Sequence, residues 1–327
     1  MKRIHRPLCD SRLSIVVPTF NEEQVLPELA RRLAAVLDGL AFDSFEVLLV
    51  DDGSTDHSEE LIRGIVAGDS RFKGVLLARN FGHQAAVSMG LELADGSVIA
   101  VIDGDLQDPP EALAPLLQAI DDGADVAYGV RTARKEGVLK RAAYATFYRF
   151  LRGAANIDIP ADSGDFCVMT RAVLDDMLRL PERNRFVRGL RAWVGRRQVG
   201  VVYQREARFA GEPKYTVRKL IGLAYDGVFS FSVLPIRLMQ IMGFAVSTVS
   251  LTVALGYAVW RLLSPERFPT GFATLTISIW FLAGVQLFFL GIVGEYLTRT
   301  FDESRRRPVA IVREIIAGGG SGAATPD

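Results

Sequence analysis

Val98-Ile99-Ala100-Val101-Ile102-Asp103-Gly104-Asp105-Leu106-Gln107-Asp108-Pro109-Pro110 runs from a β-rich apolar stretch straight into an acidic turn. An apolar run closed by Gly and Pro reads as a strand handing over to a loop. Side chains two apart on an extended segment point the same way, so Asp103 and Asp105 can converge on one hard cation held against a diphosphate. Gly104 between them lets a ligand approach the backbone. A solvated acidic turn is the competing reading, and the rest of the chain decides between the two.

Up to about residue 130 the sequence alternates apolar runs with helical patterns. Leu13 to Val17, Phe45 to Val50, Gly74 to Leu77, Val98 to Ile102 and Asp125 to Tyr128 predict strands. Glu23 to Leu40, Ser58 to Val66, Gln84 to Leu93 and Glu111 to Ile120 carry apolar residues at helical spacing. This alternation predicts an α/β fold with a mostly parallel sheet covered on both faces. Open sheets of that kind bind ligands at the carboxyl ends of their strands. The polar clusters stand at those ends: Pro18-Thr19-Phe20-Asn21-Glu22, Asp51-Asp52-Gly53-Ser54, Arg79-Asn80-Phe81-Gly82-His83 and the segment after Ile102. Neither a G-x-G-x-x-G fingerprint nor a G-x-x-x-x-G-K-[ST] loop is present, which excludes dehydrogenase and P-loop readings. Phosphate neutralisation then falls to a metal and to cations such as Arg131, Arg134, Lys135, Lys140 and Arg141.

With 327 residues and 49% hydrophobic content, the chain exceeds one ordinary domain and is unusually apolar. No Asp, Glu, Lys, Arg or His occurs from Met239 to Trp260, nor from Phe272 to Gly294. At ~1.5 Å per residue each run is roughly 33 Å long, enough for a hydrocarbon core of about 30 Å. A hairpin of two transmembrane helices is predicted over 236–298. Arg237, Arg299 and Arg305-Arg306-Arg307 flank the spans on the terminal side, which predicts cytoplasmic termini, although Arg261 and Arg267 lie in the connecting loop. Leu139 to Leu151 and Tyr215 to Phe231 mix basic and aromatic residues as interfacial amphipathic stretches do. The expected organisation is a cytoplasmic catalytic domain over 1–213, an interfacial amphipathic region over 214–235, the hairpin, and a flexible cytoplasmic tail over 299–327. With only Cys9 and Cys167, no disulfide framework is implied. A net charge of +0 gives no case for nucleic acid.

The strand-end motifs, taken in order, closely resemble the family 2 glycosyltransferases of the polyisoprenyl-phosphate branch, which holds dolichyl-phosphate mannose synthases and bacterial undecaprenyl-phosphate glucosyltransferases. The likeness spans about residues 12 to 300. It rests on Val17-Pro18-Thr19-Phe20-Asn21-Glu22, Val50 to Asp56, Arg79-Asn80-Phe81-Gly82, Asp103 to Glu111 and Asp162-Ser163-Gly164-Asp165-Phe166. It implies a GT-A nucleotide-sugar fold and inverting transfer of one sugar from a nucleotide diphosphate to a polyprenyl phosphate on the cytoplasmic leaflet. Mg²⁺ or Mn²⁺ would be the cofactor, with Asp105, Asp103 and Gln107 as ligands; the three scattered histidines suit no ordinary zinc site. Pro18, Thr19, Phe20, Glu22, Asp51, Asp52, Asn80, Asp103 and Gly104 would line the donor site. A carboxylate there suits uracil or guanine alike. Arg131, Arg134, Arg208 and Lys214 would receive the acceptor phosphate; Pro213 stands where a small serine-like residue is expected. Asp165 is the implied catalytic carboxylate, with Asp162 competing.

A uridine donor carrying glucose is the favoured reading; aminoarabinose-type, mannose and galactose transfer stay open. Family likeness also implies an inner-membrane protein that forms a homo-oligomer, a tetramer among the forms. A processive polysaccharide synthase of the same fold would show Gln-X-X-Arg-Trp and more spans, whereas Arg188-Gly189-Leu190-Arg191-Ala192-Trp193 lacks the glutamine and the spacing. A catalytically silent nucleotide-sugar scaffold would not need the full acidic and basic set.

Overall fold

The computed structural model of the protein describes residues 11–131, 163–182, 185–205, 234–263 and 271–318. Two compact units result: one takes the described residues up to Arg205 together with those from Arg307 on, the other those between.

The first unit is built on β1 (Arg12–Thr19), α1 (Leu26–Asp38), β2 (Ser44–Asp51), α2 (Ser58–Gly68), β3 (Phe72–Leu77), α3 (His83–Leu93), β4 (Val98–Val101), α4 (Leu113–Asp121) and β5 (Val126–Arg131). Then come β6 (Ser163–Thr170), α5 (Arg171–Leu178), α6 (Val187–Val194), β7 (Gln198–Tyr203) and, from the far end of the chain, β8 (Val312–Ala317). Eight strands form one sheet in the order β7-β5-β6-β4-β1-β2-β3-β8. Pairings of β1 with β2 and β4, of β2 with β3, and of β5 with β7 are parallel, while β6 and β8 run against their neighbours. This is the expected α/β, GT-A-like architecture with a mostly parallel sheet.

Strands buried on both faces read as continuous apolar runs, and β1 and β2 do so because helices cover each side. Leu13, Ile15 and Val17 point to one face and pack with Leu26, Leu29 and Leu33 of α1. Val16 points to the other, with Ala86, Val87 and Leu91 of α3. There α3 sits so close that a Cβ on Gly90 would fall 2.3 Å from Val16 Cγ1.

One sequence expectation is corrected here, one strand is new, and a third reading is met in part. Residues 299–327 were expected to be a flexible tail, yet Arg299 to Ser304 continue a helix and Val312–Ala317 pair with β3. Strand β8 is held by Arg63 on Glu314 and by Arg313 on Glu59, while Ala310 is buried beside Val75 and Leu77. The sequence also gave no sign of β6, which enters between β4 and β5 and reverses direction. The third concerns the second unit, which contains α7 (Leu234–Leu263) and α8 (Phe272–Ser304). Among the described residues one helix, α8 over Phe281–Ser304, is long and apolar enough to cross a membrane, with mean hydropathy 1.6. The apolar stretch of α7, Leu238–Val253, is shorter than that measure asks. The interfacial stretch read at 214–235 lies almost wholly outside the described residues, as does the one at 139–151.

At the amino ends of the strands, away from the motifs, Glu46 is buried to 1% exposure. It accepts hydrogen bonds from Arg12 Nη2 at 2.9 Å, Lys73 Nζ at 2.8 Å, the Asp95 N–H at 2.7 Å and the Ser14 hydroxyl. Burial pushes its carboxyl up, but Lys73, Ser14 and the Asp95 N–H together bring it below the usual range. A carboxyl depressed in the folded state stabilises above its unfolded pKa of about 4.3 and loses that contribution as pH falls through the folded value. Glu46→Gln should therefore cost about 1–3 kcal/mol at neutral pH, less than for a fully buried pair because Arg12 and Lys73 stay partly hydrated. Denaturant melts of the full chain should also show a shallower loss of stability below about pH 4.3.

Candidate functional site

The carboxyl ends of β1 and β2 are joined by short side-chain bridges. Asn21, at φ 53, donates its N–H to the Ser54 hydroxyl oxygen at 2.9 Å and accepts the Thr55 N–H on Oδ1 at 2.8 Å. Thr19 is buried and donates to the Val50 carbonyl at 3.2 Å. The pair expected to hold the nucleotide is enclosed and occupied within the protein. Asp51 accepts from the Ser54 N–H at 3.1 Å and from its hydroxyl. Asp52 accepts from the N–H groups of Phe81 at 2.7 Å and Gly82 at 2.9 Å, so it fixes the turn that precedes α3. Burial pushes both carboxyls up, against those donors. Gly53, at φ +67, lets this turn come close: a Cβ there would lie 2.5 Å from the Arg79 carbonyl carbon. Gly104 serves the same purpose toward β1, since its Cβ would fall 2.8 Å from the Pro18 oxygen. Its lack of a side chain is needed for the protein's own packing at this point.

Beyond β4 the acidic turn meets β6. Antiparallel pairing of Val98 with Thr170 and Val101 with Cys167 carries Asp165 back to the loop that begins at Asp103. His83 Nε2 stands between these two carboxylates, 3.4 Å from Asp165 Oδ2 and 3.6 Å from Asp103 Oδ1. Gln84 donates from Nε2 to Asp165 Oδ2 at 3.1 Å and accepts the Val187 N–H on Oε1 at 3.0 Å. Arg188, at the start of α6, donates to Asp165 Oδ1 from Nε and Nη2 at 3.3 Å.

Two neighbouring acids are thereby driven apart in acidity. Burial pushes Asp103 up to about 6, with Asp165, Asp108 and Asp105 adding to the effect against His83. Asp165 is also raised by burial, but Arg188 and His83 overwhelm that and hold it well below the usual carboxylate range. Burial alone would lower His83; Asp165 and Asp103 carry it to about 9.

Asp103 Oδ1 is a buried oxygen with no hydrogen-bond partner. A divalent cation suits that oxygen, because it supplies both the missing partner and the missing charge. Among the described residues no group of three or more metal-ligating side chains is assembled in advance. Hard cations of the Mg²⁺ kind bind through one or two carboxylates and complete their shell with water and substrate phosphates, so the donor set fits.

Of the residues singled out in the sequence, Pro18 and Thr19 end β1, Asp51 ends β2 and Asp165 lies near the start of β6, while Phe20, Glu22, Asp52, Asn80, Asp103, Gly104, Asp105 and Gln107 lie on the loops that follow β1 to β4. Arg131 ends β5, while Asp162, Arg134, Arg208 and Lys214 lie outside the described residues. His83, Gln84 and Arg188 went unassigned. His83 was visible as the next residue after Gly82, but nothing in the sequence announced that α6 returns to β6.

A family model described as Glycosyl transferase family 2 matches residues 14–178. The Bacillus subtilis glycosyltransferase YkcC is 42% identical over 302 residues, covering 92% of this chain and 93% of its own. The prophage bactoprenol glucosyl transferase homolog of Escherichia coli is 35% identical over 308 residues, covering 93% and 99%. The bactoprenol glucosyl transferase of Shigella phage SfV is 35% identical over 306 residues, covering 92% and 98%. Among solved structures, glucosyl-3-phosphoglycerate synthase from Mycobacterium tuberculosis aligns with a TM-score of 0.45 at 19% identity, covering 68% of this chain and 79% of that one.

The two turn glycines separate steric from conformational cost. Gly53→Ala must displace the backbone of Arg79 and Asn80 as well as bear a left-handed φ, and should lower stability by about 2–4 kcal/mol. Gly82→Ala, at φ 101 and ψ 154 with nothing within 4 Å of the added Cβ, should lose only the conformational part, about 1–3 kcal/mol, and less than Gly53→Ala. Thermal melts of the two variants side by side check the order.

Proposed function

Within glycosyl transferase family 2, to which this chain belongs, we propose that it moves one glucose, with inversion, from UDP-glucose to a polyprenyl phosphate at a membrane surface. Relatives named bactoprenol glucosyl transferase, alike over more than nine-tenths of both chains, support the acceptor class and the sugar. The single observation that carries the chemistry is the enclosed Asp103 Oδ1, which accepts no hydrogen bond, beside the ionised Asp165.

Asp103, Asp105 and Gln107 would hold Mg²⁺ or Mn²⁺. When bound, such an ion neutralises the charge that develops on the departing diphosphate. Asp51 and Asp52 act on the nucleotide by fixing the turns at 53–55 and 79–82, which with Pro18, Thr19, Phe20, Glu22 and Asn80 line its place. A phosphate monoester, with its second pKa near ~6, arrives largely deprotonated and needs little from a base. Asp165, held ionised by Gln84, Arg188 and His83, is suited to orienting groups and poorly suited to taking a proton. Protonated His83 would face the anionic substrates between the two carboxylates. Arg131, Arg134, Arg208 and Lys214 are the proposed receivers of the acceptor phosphate, separating it from the donor. Asp162 remains the competing assignment to Asp165.

Both α7 and α8 expose long series of large apolar side chains, among them Phe244, Leu251, Leu262, Phe281, Leu287 and Leu290. That supports a hairpin of two spans in the inner membrane, with the first unit on the cytoplasmic side and the lipid tail never leaving the bilayer. A homo-oligomer in the membrane is part of the same reading.

Purified full-length protein incubated with labelled UDP-glucose and undecaprenyl phosphate should yield a lipid-linked monosaccharide, and excess EDTA or the Asp103→Ala, Asp105→Ala double variant should abolish it. Long polymer, or full activity in EDTA, would overturn the reading. Asp165→Asn should lower kcat by about a hundredfold through misplacement of the reacting groups, with the shape of the pH profile preserved. A loss that vanishes at high pH would instead restore Asp165 as a proton acceptor.

A further inference from the structure

We propose that Tyr203, acting through the buried Asp108, is a positioning residue for the loop that carries Asp103 and Asp105; this rests on the metal reading given above. Asp108 lies three positions past Asp105 and is 0% exposed. Its Oδ1 accepts a hydrogen bond from the Tyr203 hydroxyl and lies 3.4 Å from Arg205 Nε. Tyr203, itself 6% exposed, is the last residue of β7, on the opposite side of β5 from the loop it reaches.

The same ring meets Phe166 edge-on, with centroids 5.2 Å apart and planes at 64°. Phe166 is the neighbour of Asp165. Gly129 on β5 opens the space for both rings: a Cβ there would fall 2.6 Å from Tyr203 Cε1 and 2.8 Å from Phe166 Cδ1. One tyrosine thus touches the loop that bears Asp103 and the strand start that bears Asp165.

The loop needs such a hold. It leaves β4 at Val101, passes Leu106 at φ 55, and reaches its next regular turn only at Pro110. Inside it, the Gln107 N–H reaching Asp105 Oδ1 at 3.2 Å gives a local bond that does not tie it to the sheet. Asp108 supplies the tie at the far end. With β4 at one end and Asp108 at the other, the carboxylates between are fixed in separation and direction. Partners of this outer kind orient metal ligands without touching the ion, and their loss costs about 10–100-fold in metal affinity.

The test is Mn²⁺ titration of the full-length protein in detergent with saturating UDP, read by the electron paramagnetic resonance of free Mn²⁺. Tyr203→Phe keeps the ring against Phe166 and removes only the hydroxyl; its Mn²⁺ affinity should fall about 10–100-fold. Asp108→Asn keeps an acceptor for the hydroxyl and should bind nearly as the wild type does, whereas Asp108→Ala should fall as far as Tyr203→Phe. Glu46→Gln, at the amino ends of the strands, serves as a variant destabilised without touching the loop and should bind Mn²⁺ normally. Wild-type affinity in Tyr203→Phe overturns the proposal. So does equal impairment of Asn and Ala at 108, since charge and not the hydrogen bond would then be what matters. Should Tyr203→Phe fail to fold, the Asn and Ala pair decides alone. A wild-type protein that itself binds no Mn²⁺ sinks the metal reading and this proposal with it, and is recognised because no variant is needed to see it.

Discussion

Two carboxylates forced together by strand pairing are the constraint on which the site depends. Val101 and Cys167 are partners across β4 and β6, and running the register two steps further sets Asp165 against Asp103. Like charges at such proximity cannot both be ionised cheaply unless cations intervene. The chain supplies them from two helix starts, His83 on α3 and Arg188 on α6, and both lie nearer to Asp165. Asp165 therefore keeps its charge, and Asp103 carries the unmet demand for a partner.

Pairs of titratable groups whose surroundings drive them apart are where acid, base and ligand roles divide. Here the division is between a carboxylate satisfied by the protein and one left to be satisfied from outside. The satisfied one has its hydrogen bonds from Gln84 and Arg188, and Gln84 is itself fixed by the Val187 N–H, so the arrangement is rigid before any ligand arrives. Preorganised charge of this kind costs no reorganisation when substrates enter. Asp51 and Asp52 show the complementary use of acids: enclosed, bonded to Ser54, Phe81 and Gly82, they shape turns.

The parallel half of the sheet was legible because each strand there is a local apolar run followed within a few residues by its own helix. Strand β6 was not. Ser163-Gly164-Asp165-Phe166-Cys167-Val168-Met169-Thr170 carries no clean alternation, and its reversed insertion between β4 and β5 is a fact of pairing that no local pattern encodes. Asp103, Asp105 and Asp165 could be named from motif and resemblance, whereas Gln84 and Arg188 became visible only when α3 and α6 met at β6. Thr19 and Gly104 also tie the strand ends together, through the Val50 carbonyl and the close approach to Pro18, which the sequence alone does not show. The end of the chain differs for another reason: its glycine-rich close at Gly318 to Gly322 reads as a flexible tail, and in Val312–Ala317 Arg313 and Glu314 look like solvated charges but pair with Glu59 and Arg63.

That return strand alters what the first unit is. Its sheet is completed by residues that follow α8 in the sequence, so the unit is not a contiguous amino-terminal domain with an anchor appended. Without β8, strand β3 would be an open edge, and a long apolar edge is a template for unwanted pairing. Ile316 also lies against the packing around Gly74, and Ala310 and Val309 fill the cluster under α3, the helix whose first residues hold Asp165. The backbone bond from the Ala78 N–H to the Ile311 oxygen, 2.9 Å long, falls one residue before the turn that Asp52 fixes. The apolar helices of the second unit are accordingly an insertion in the sequence of the first, and the segment that leaves them shares an apolar cluster with α3, the helix that begins at His83.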